Sequence, residues 1–198
     1  LVDPGTYTVK VTLGNNTQSK TVTVEEDPRI RISPADRAAR RQALDRAMQL
    51  VVRSREAQRK ITGLKNALDA TLNQWRGPAG RQIPQAIHDA ARELSDRVNQ
   101  VHGRFVNPPL PPGWAGPPLE RREPTIPQRM GRLYGALEGY TAAPTPTQLE
   151  ELAALEKLVA EVAAQVDRLV EQDLAALNRR MNEAGIPHIR IATGGRPN

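Results

Sequence analysis

Cysteine is absent from this chain of 198 residues. That excludes a disulfide framework, a thiolate nucleophile and a cysteine-bound metal. Aromatic residues are scarce, 3% against 38% hydrophobic residues in all. The core must therefore be built from Leu, Val, Ile and Ala, which suits helices packed along a long seam. No run of about 18 apolar residues occurs, so no membrane span is expected. No charged-then-apolar leader precedes the first ordered feature, so the signal of a secreted parent would lie upstream. Helical zinc pairs of the His-x-x-x-His or His-Glu type are missing as well.

Charge is present in both signs but unevenly placed. The net charge is +6. Between Arg29 and Lys60 ten Lys or Arg face three acids, and between Thr147 and Ala184 four face eight. A basic first helix and an acidic last helix in one bundle predict mutual pairing. Exposed pairs are worth only about 0.2–1 kcal/mol each, yet they bias which helices become neighbours. No aromatics are interleaved with the basic residues to stack on bases, so nucleic acid is not an expected partner.

The first ordered feature is a β-hairpin. Tyr7, Val9, Val11 and Leu13 alternate with Thr6, Thr8, Lys10 and Thr12, the pattern of a half-buried strand. A turn at Gly14-Asn15-Asn16-Thr17 leads to a return strand from Gln18 to Val24 that carries Val22 and Val24. A lone two-stranded hairpin is marginal in water. The hairpin therefore calls for other strands, and the chain, which opens on Leu1, reads as the C-terminal end of something larger.

Helical patterns follow. Ser33 caps the first helix, with Pro34 at its first position and Asp36 at its third. Leu44, Met48, Val51, Ile61, Leu64, Leu68, Leu72 and Trp75 form its expected seam, with a polar stretch around Arg53 to Lys60. Gly77-Pro78 ends it after about 43 residues, or about 64 Å. A second helix is expected from about Arg81 to Val106 on Ile83, Ile87, Ala90, Leu94, Val98, Val101 and Phe105. Six prolines and two glycines then crowd residues 107–118, an extended crossing rather than a helix or sheet interior. A short third helix carries Ile126, Met130, Leu133, Leu137 and Tyr140. Thr145, Pro146 and Gln148 write a capping box for the last helix. Its seam runs through Leu152, Leu155, Val159, Val162, Val166, Leu169, Leu174, Leu177 and Met181 to a stop at Gly185-Ile186-Pro187.

The expected fold is mainly α: a long antiparallel three-layer bundle of three to four helices, preceded by a β-hairpin. The start of that hairpin, Pro4-Gly-Thr-Tyr-Thr-Val9, resembles the penultimate strand of immunoglobulin-like modules of secreted proteins, which implies that residues 1–28 are the end of an immunoglobulin-like sheet. Residues 29–198 form the bundle, with a proline-rich crossing loop at 107–125. The first helix goes up, the second and third come down as one interrupted arm, and the last goes up again.

Candidate chemistry is sparse. His88 and His102 lie about 21 Å apart along one helix, too far to share a metal, and His188 sits in the tail. Glu150 and Glu151 suit the first turn of a helix, where the dipole favours acids. Ser33 is a cap, and Ser54 and Ser95 have no His/Asp pattern near them. Gly113 and Gly116 sit among prolines and suit a turn, not a phosphate cradle. Trp114 has two readings. It folds back to pin its loop on the bundle, or it protrudes as an anchor for a partner. Tyr7, Val9, Val11 and Leu13 are the other candidate partner-binding residues. No catalytic residue, metal ligand or cofactor is assigned.

Several stretches resemble the C-terminal region of bacterial sortilin-like, BNR-repeat β-propeller proteins, often labelled glycosyl-hydrolase-like. They are Pro4-Gly-Thr-Tyr-Thr-Val9, Asp27-Pro28-Arg29, Ser33-Pro34-Ala35-Asp36, Met130-Gly-Arg-Leu-Tyr-Gly through Thr145-Pro-Thr-Gln148, and Leu174 through Pro187. The proline-rich crossing departs from that pattern. The resemblance implies an extracellular or periplasmic location and a propeller outside this chain. No family catalytic residue maps onto it. Three functional readings stand: a non-catalytic structural or interaction module at the end of a secreted propeller protein, a self-assembling subunit using strand complementation, or the end of a sialidase-like hydrolase whose catalytic propeller is absent. The expected partners are accordingly the upstream region of the same parent or neighbouring copies of the chain.

Overall fold

The computed structural model describes residues 2, 4–25, 27–29, 32–77, 82–107 and 123–191. The protein is mainly helical, with one antiparallel hairpin. Strands β1 (Gly5–Leu13) and β2 (Asn16–Val24) form it, followed by helices α1 (Pro34–Gln74), α2 (Gln85–His102), α3 (Ile126–Glu138), α4 (Pro146–Arg168) and α5 (Leu174–Glu183). A π-helical turn, Leu169–Asp173, joins α4 to α5. Of the expected crossing, residues 108–122, Trp114 among them, lie outside the described residues.

The hairpin turns tighter than its sequence suggests. Leu13 is opposite Asn16, leaving Gly14 and Asn15 as a two-residue loop. Gly14 takes a φ of +57° while Asn15 stays negative, the arrangement of a type II′ turn.

Local chemistry starts the helices. The Asp36 N–H donates to the Ser33 hydroxyl at 3.1 Å, and that hydroxyl donates to the Asp36 carboxylate at 2.8 Å. Thr145 and Gln148 form the expected reciprocal capping box, and Thr125 with Gln128 forms a second one. Gly185, at φ +68°, ends α5. Its N–H donates to the Asn182 carbonyl, and the Ile186 N–H to that of Met181, which is a Schellman motif.

Three helix expectations need correction. The buried line of α1 is Ala43, Ala47, Leu50, Ser54, Ala57, Ile61, Leu64 and Leu68. In its first half the seam thus lies one residue away from Leu44, Met48 and Val51, and Met48 is 48% exposed. Small residues win because they let a neighbouring backbone come close, and the polar stretch 53–60 hides Ser54 and Ala57 within the seam. The second helix begins only after Pro84, because a residue before proline is driven out of the helical region. It stops at Gly103, although Phe105 beyond it stays buried. Tyr140 lies past the end of α3 and is exposed.

All nine expected seam residues of the last helix are buried. Their spacing alternates three and four, except for a gap of five between Leu169 and Leu174, where the π turn lies. The wider turn absorbs one extra residue and returns Leu174, Leu177 and Met181 to the core.

Contacts fix the helix directions. Arg46 pairs with Glu156 and Lys60 with Asp167, so α1 and α4 run the same way. Arg40, near the start of α1, donates to the carbonyls of Leu137 and Glu138 at the end of α3. Trp75, just past the end of α1, meets His88 in the first turns of α2. Both α2 and α3 therefore run against α1. They also join directly: the Ile126 N–H donates to the Arg104 carbonyl at 2.9 Å.

Candidate functional site

Period-two alternation puts the predicted hairpin residues on one face of a ribbon. Tyr7, Val9, Val11 and Leu13 share it with Val22 and Val24 of β2, Tyr7 facing Val22, while Lys20, Gln18 and Asn16 lie opposite Val9, Val11 and Leu13. The other face holds Thr6, Thr8, Lys10, Thr12, Thr17, Ser19, Thr21 and Thr23, with the Thr12 and Thr17 hydroxyls 3.1 Å apart. The described residues leave most of this face exposed, Val24 less so than the others. Exposure climbs from 37% at Tyr7 to 82% at Leu13. The exposed apolar side chains thus run along β1 and meet an apolar partner on β2 at Val22. Among the described residues the sheet has two strands, so each has one edge without a paired strand there. The remaining predicted partner residue, Trp114, lies outside the described residues.

A second feature lies between α1 and α4. The Arg46 guanidinium grips Glu156 through both carboxylate oxygens, at 3.0 and 2.8 Å. Three to four turns further along the cleft, Lys60 donates to Asp167 at 2.6 Å. These pairs flank a cleft of about 470 Å³ floored by Leu50, Ala57, Val159 and Ala163. The hydrogen bond from Arg46 holds the Glu156 carboxyl below its ordinary range, and the bond to Asp167 raises the Lys60 ammonium. A carboxylate so held is a weak base, and an ammonium so held is a weak nucleophile. These groups clamp the helices together, as the opposite charges of the two segments predicted.

Glu151, His88 and His102 are engaged in structure, while Glu150 is exposed. The Glu151 carboxylate takes both forks of Arg129 at 3.0 Å. Trp75 and His88 meet edge to face with ring centroids 5.0 Å apart. Burial, aided by the charge of Lys65, pushes the His102 imidazole below its ordinary pKa. His188 is exposed, and Ser54 and Ser95 are buried in the helix seams. Among the described residues no group of three or more His, Asp or Glu is placed to hold a metal, and no helix is long and apolar enough to cross a membrane.

The sequence reading overlooked one cluster. Arg97 of α2, Arg104 of the turn after it and Arg168 of α4 come to one cleft beside the π turn. Its only forewarning in sequence was the gap of five between Leu169 and Leu174. No family model, no curated protein and no solved structure matches this chain.

Proposed function

We propose that this chain is a non-catalytic interaction module at the C-terminus of a secreted β-propeller protein, extracellular or periplasmic. Its hairpin completes an immunoglobulin-like sheet whose other strands lie upstream. Its helices form a three-layer stalk in which α1 runs up, α2 and α3 return as one interrupted arm, and α4 with α5 runs up again. The reading is carried by the exposure of Val9, Val11, Leu13 and Val22 among the described residues. Burying a side chain of this kind is worth about 1.5–3 kcal/mol, so these side chains strongly favour a cover. The ion pairs and helix directions described above support the stalk.

Hydrogen exchange at the Val9 and Val22 amides tests the proposal. Slow exchange should appear when the upstream region is supplied and be lost in the dilute isolated chain. Equal protection in both would make the hairpin self-sufficient and end the proposal. The two strand edges without a paired strand among the described residues favour a second reading, in which copies of the chain pair edge to edge as a self-assembling subunit. In that case protection rises with the concentration of the chain alone.

A further inference from the structure

Four basic side chains that reach across between helices meet acids, and Arg40 meets the backbone carbonyls of Leu137 and Glu138. Arg46 meets Glu156, Lys60 meets Asp167, Arg129 meets Glu151 and Arg97 meets Asp173. Arg104 and Arg168 break the pattern. One comes from the turn after α2 and the other from the end of α4, yet both line a single cleft of about 230 Å³. Among the described residues neither guanidinium has a carboxylate partner. The one acid lining that cleft, Asp173, is already bonded to Arg97 at 3.0 Å. Three guanidiniums therefore gather around one carboxylate. Like charges across a cleft are unfavourable unless something between them carries the opposite sign.

The backbone points the same way. The π turn sits in this cleft wall. In a regular helix Asp173 would follow Val166 and Leu169 on the buried seam. The extra residue instead turns it out to Arg97. Such turns recur at functional sites. The remaining polar lining is Gln100 and Gln165, which offer amide donors, while Val101 and Leu169 supply an apolar wall. Forked guanidiniums and amides match a tetrahedral oxyanion, which presents acceptors in several directions. The cleft admits a phosphate or sulfate with a small carrier.

We infer that the cleft between Arg104 and Arg168 is a binding site for a phosphate or sulfate group, free or carried on a small molecule. It stands apart from the hairpin and does not depend on the reading given for it.

The test is an NMR titration of the full chain at constant ionic strength, with inorganic phosphate and glucose 6-phosphate as probes and chloride as control. Phosphate should shift the signals of Arg104, Gln165 and Arg168, and chloride should not. Tighter binding of the ester assigns the site to a phosphorylated small molecule, and equal binding assigns it to the free oxyanion. Arg104→Gln and Arg168→Gln should each weaken binding roughly tenfold, while Arg132→Gln, outside the cleft, should leave it unchanged. Arg168→Lys keeps the charge but loses the fork, and should bind several-fold weaker with its helical signal intact. Without phosphate, Arg168→Gln should melt no lower than the parent, because it relieves a repulsion. Shifts reproduced by chloride, or Gln variants that bind within about twofold of the parent, would overturn the inference.

Discussion

Asn178 holds Ile189 by both of that residue's backbone groups. Its amide nitrogen donates to the Ile189 carbonyl at 3.0 Å, and its amide oxygen accepts the Ile189 N–H at 2.8 Å. The clamp returns the chain after the Schellman turn to the bundle and buries the Ile189 side chain. Asn178→Ala leaves both backbone groups without their partner. It should cost about 1–3 kcal/mol and release the slow exchange of the Ile189 amide. Asn178→Asp keeps the acceptor and loses the donor, so it should fall between. Exchange at Ile189 unchanged in the alanine variant would show that the side chain of Ile189 alone anchors the tail.

The buried line of α1 gives an opposed pair of outcomes. Ala47→Leu inserts bulk into the seam and should cost about 1–3 kcal/mol by overpacking. Met48→Ala trims a half-exposed neighbour and should stay within about 0.5 kcal/mol. Leu94→Ala and Leu169→Ala, both buried, should each cost about 2–5 kcal/mol. Chemical denaturation of the four variants measures all of these. A reversed order at positions 47 and 48 would return the seam to the line through Leu44, Met48 and Val51.

That pair of positions also shows what a sequence can reveal. Ser33 and Thr145 were legible as caps because capping is local: the hydroxyl, the proline and the acceptor lie within four residues. The last helix was legible because its seam is written in Leu and Val. The seam of α1 was not, since Ala43, Ala47, Ser54 and Ala57 carry little hydrophobic weight while Leu44, Met48 and Val51 stand beside them. The pairing of a basic with an acidic helix could be foreseen from composition. The partners of each ion pair could not, because they depend on which turns end up level. The apolar face of the hairpin followed from alternation alone. The arginine cleft did not, because Arg104 and Arg168 meet only once α2 lies against α4.

Acid should weaken the fold in two stages. Burial first, and the charge of Lys65 second, lower the His102 pKa below its ordinary 6.5. The unfolded chain therefore takes up that proton first. The stability tied to neutral His102 is complete above 6.5 and is lost as pH falls toward the folded value. Glu156 lies lower, held below its ordinary 4.5 chiefly by the hydrogen bond from Arg46. Its contribution is complete above 4.5 and is lost as pH falls through the depressed value. The pair is more than one-third exposed on both sides, so solvent keeps this stage small. Urea midpoints followed from neutral to acidic pH should decline twice. His102→Asn should remove the upper decline and Glu156→Gln the lower. A single decline untouched by either variant would place the acid sensitivity elsewhere.

Gly63 marks a close approach. A Cβ at this position would come within 2.9 Å of the Ile191 Cγ2. Alanine is favoured over glycine inside a helix by about 1 kcal/mol, so Gly63→Ala sets a stiffer α1 against a displaced tail. Combined with Ile191→Ala the clash disappears. The double variant should therefore be more stable than the sum of the two single changes, as a double-mutant cycle by thermal melting would show. Strict additivity would mean that the tail moves aside at no cost.

The bond from the Ile126 N–H to the Arg104 carbonyl means that the chain leaves the descending arm and re-enters it at one point. The long α1 therefore faces two short helices tied at their junction by a backbone hydrogen bond, so a tilt of one is passed on to the other.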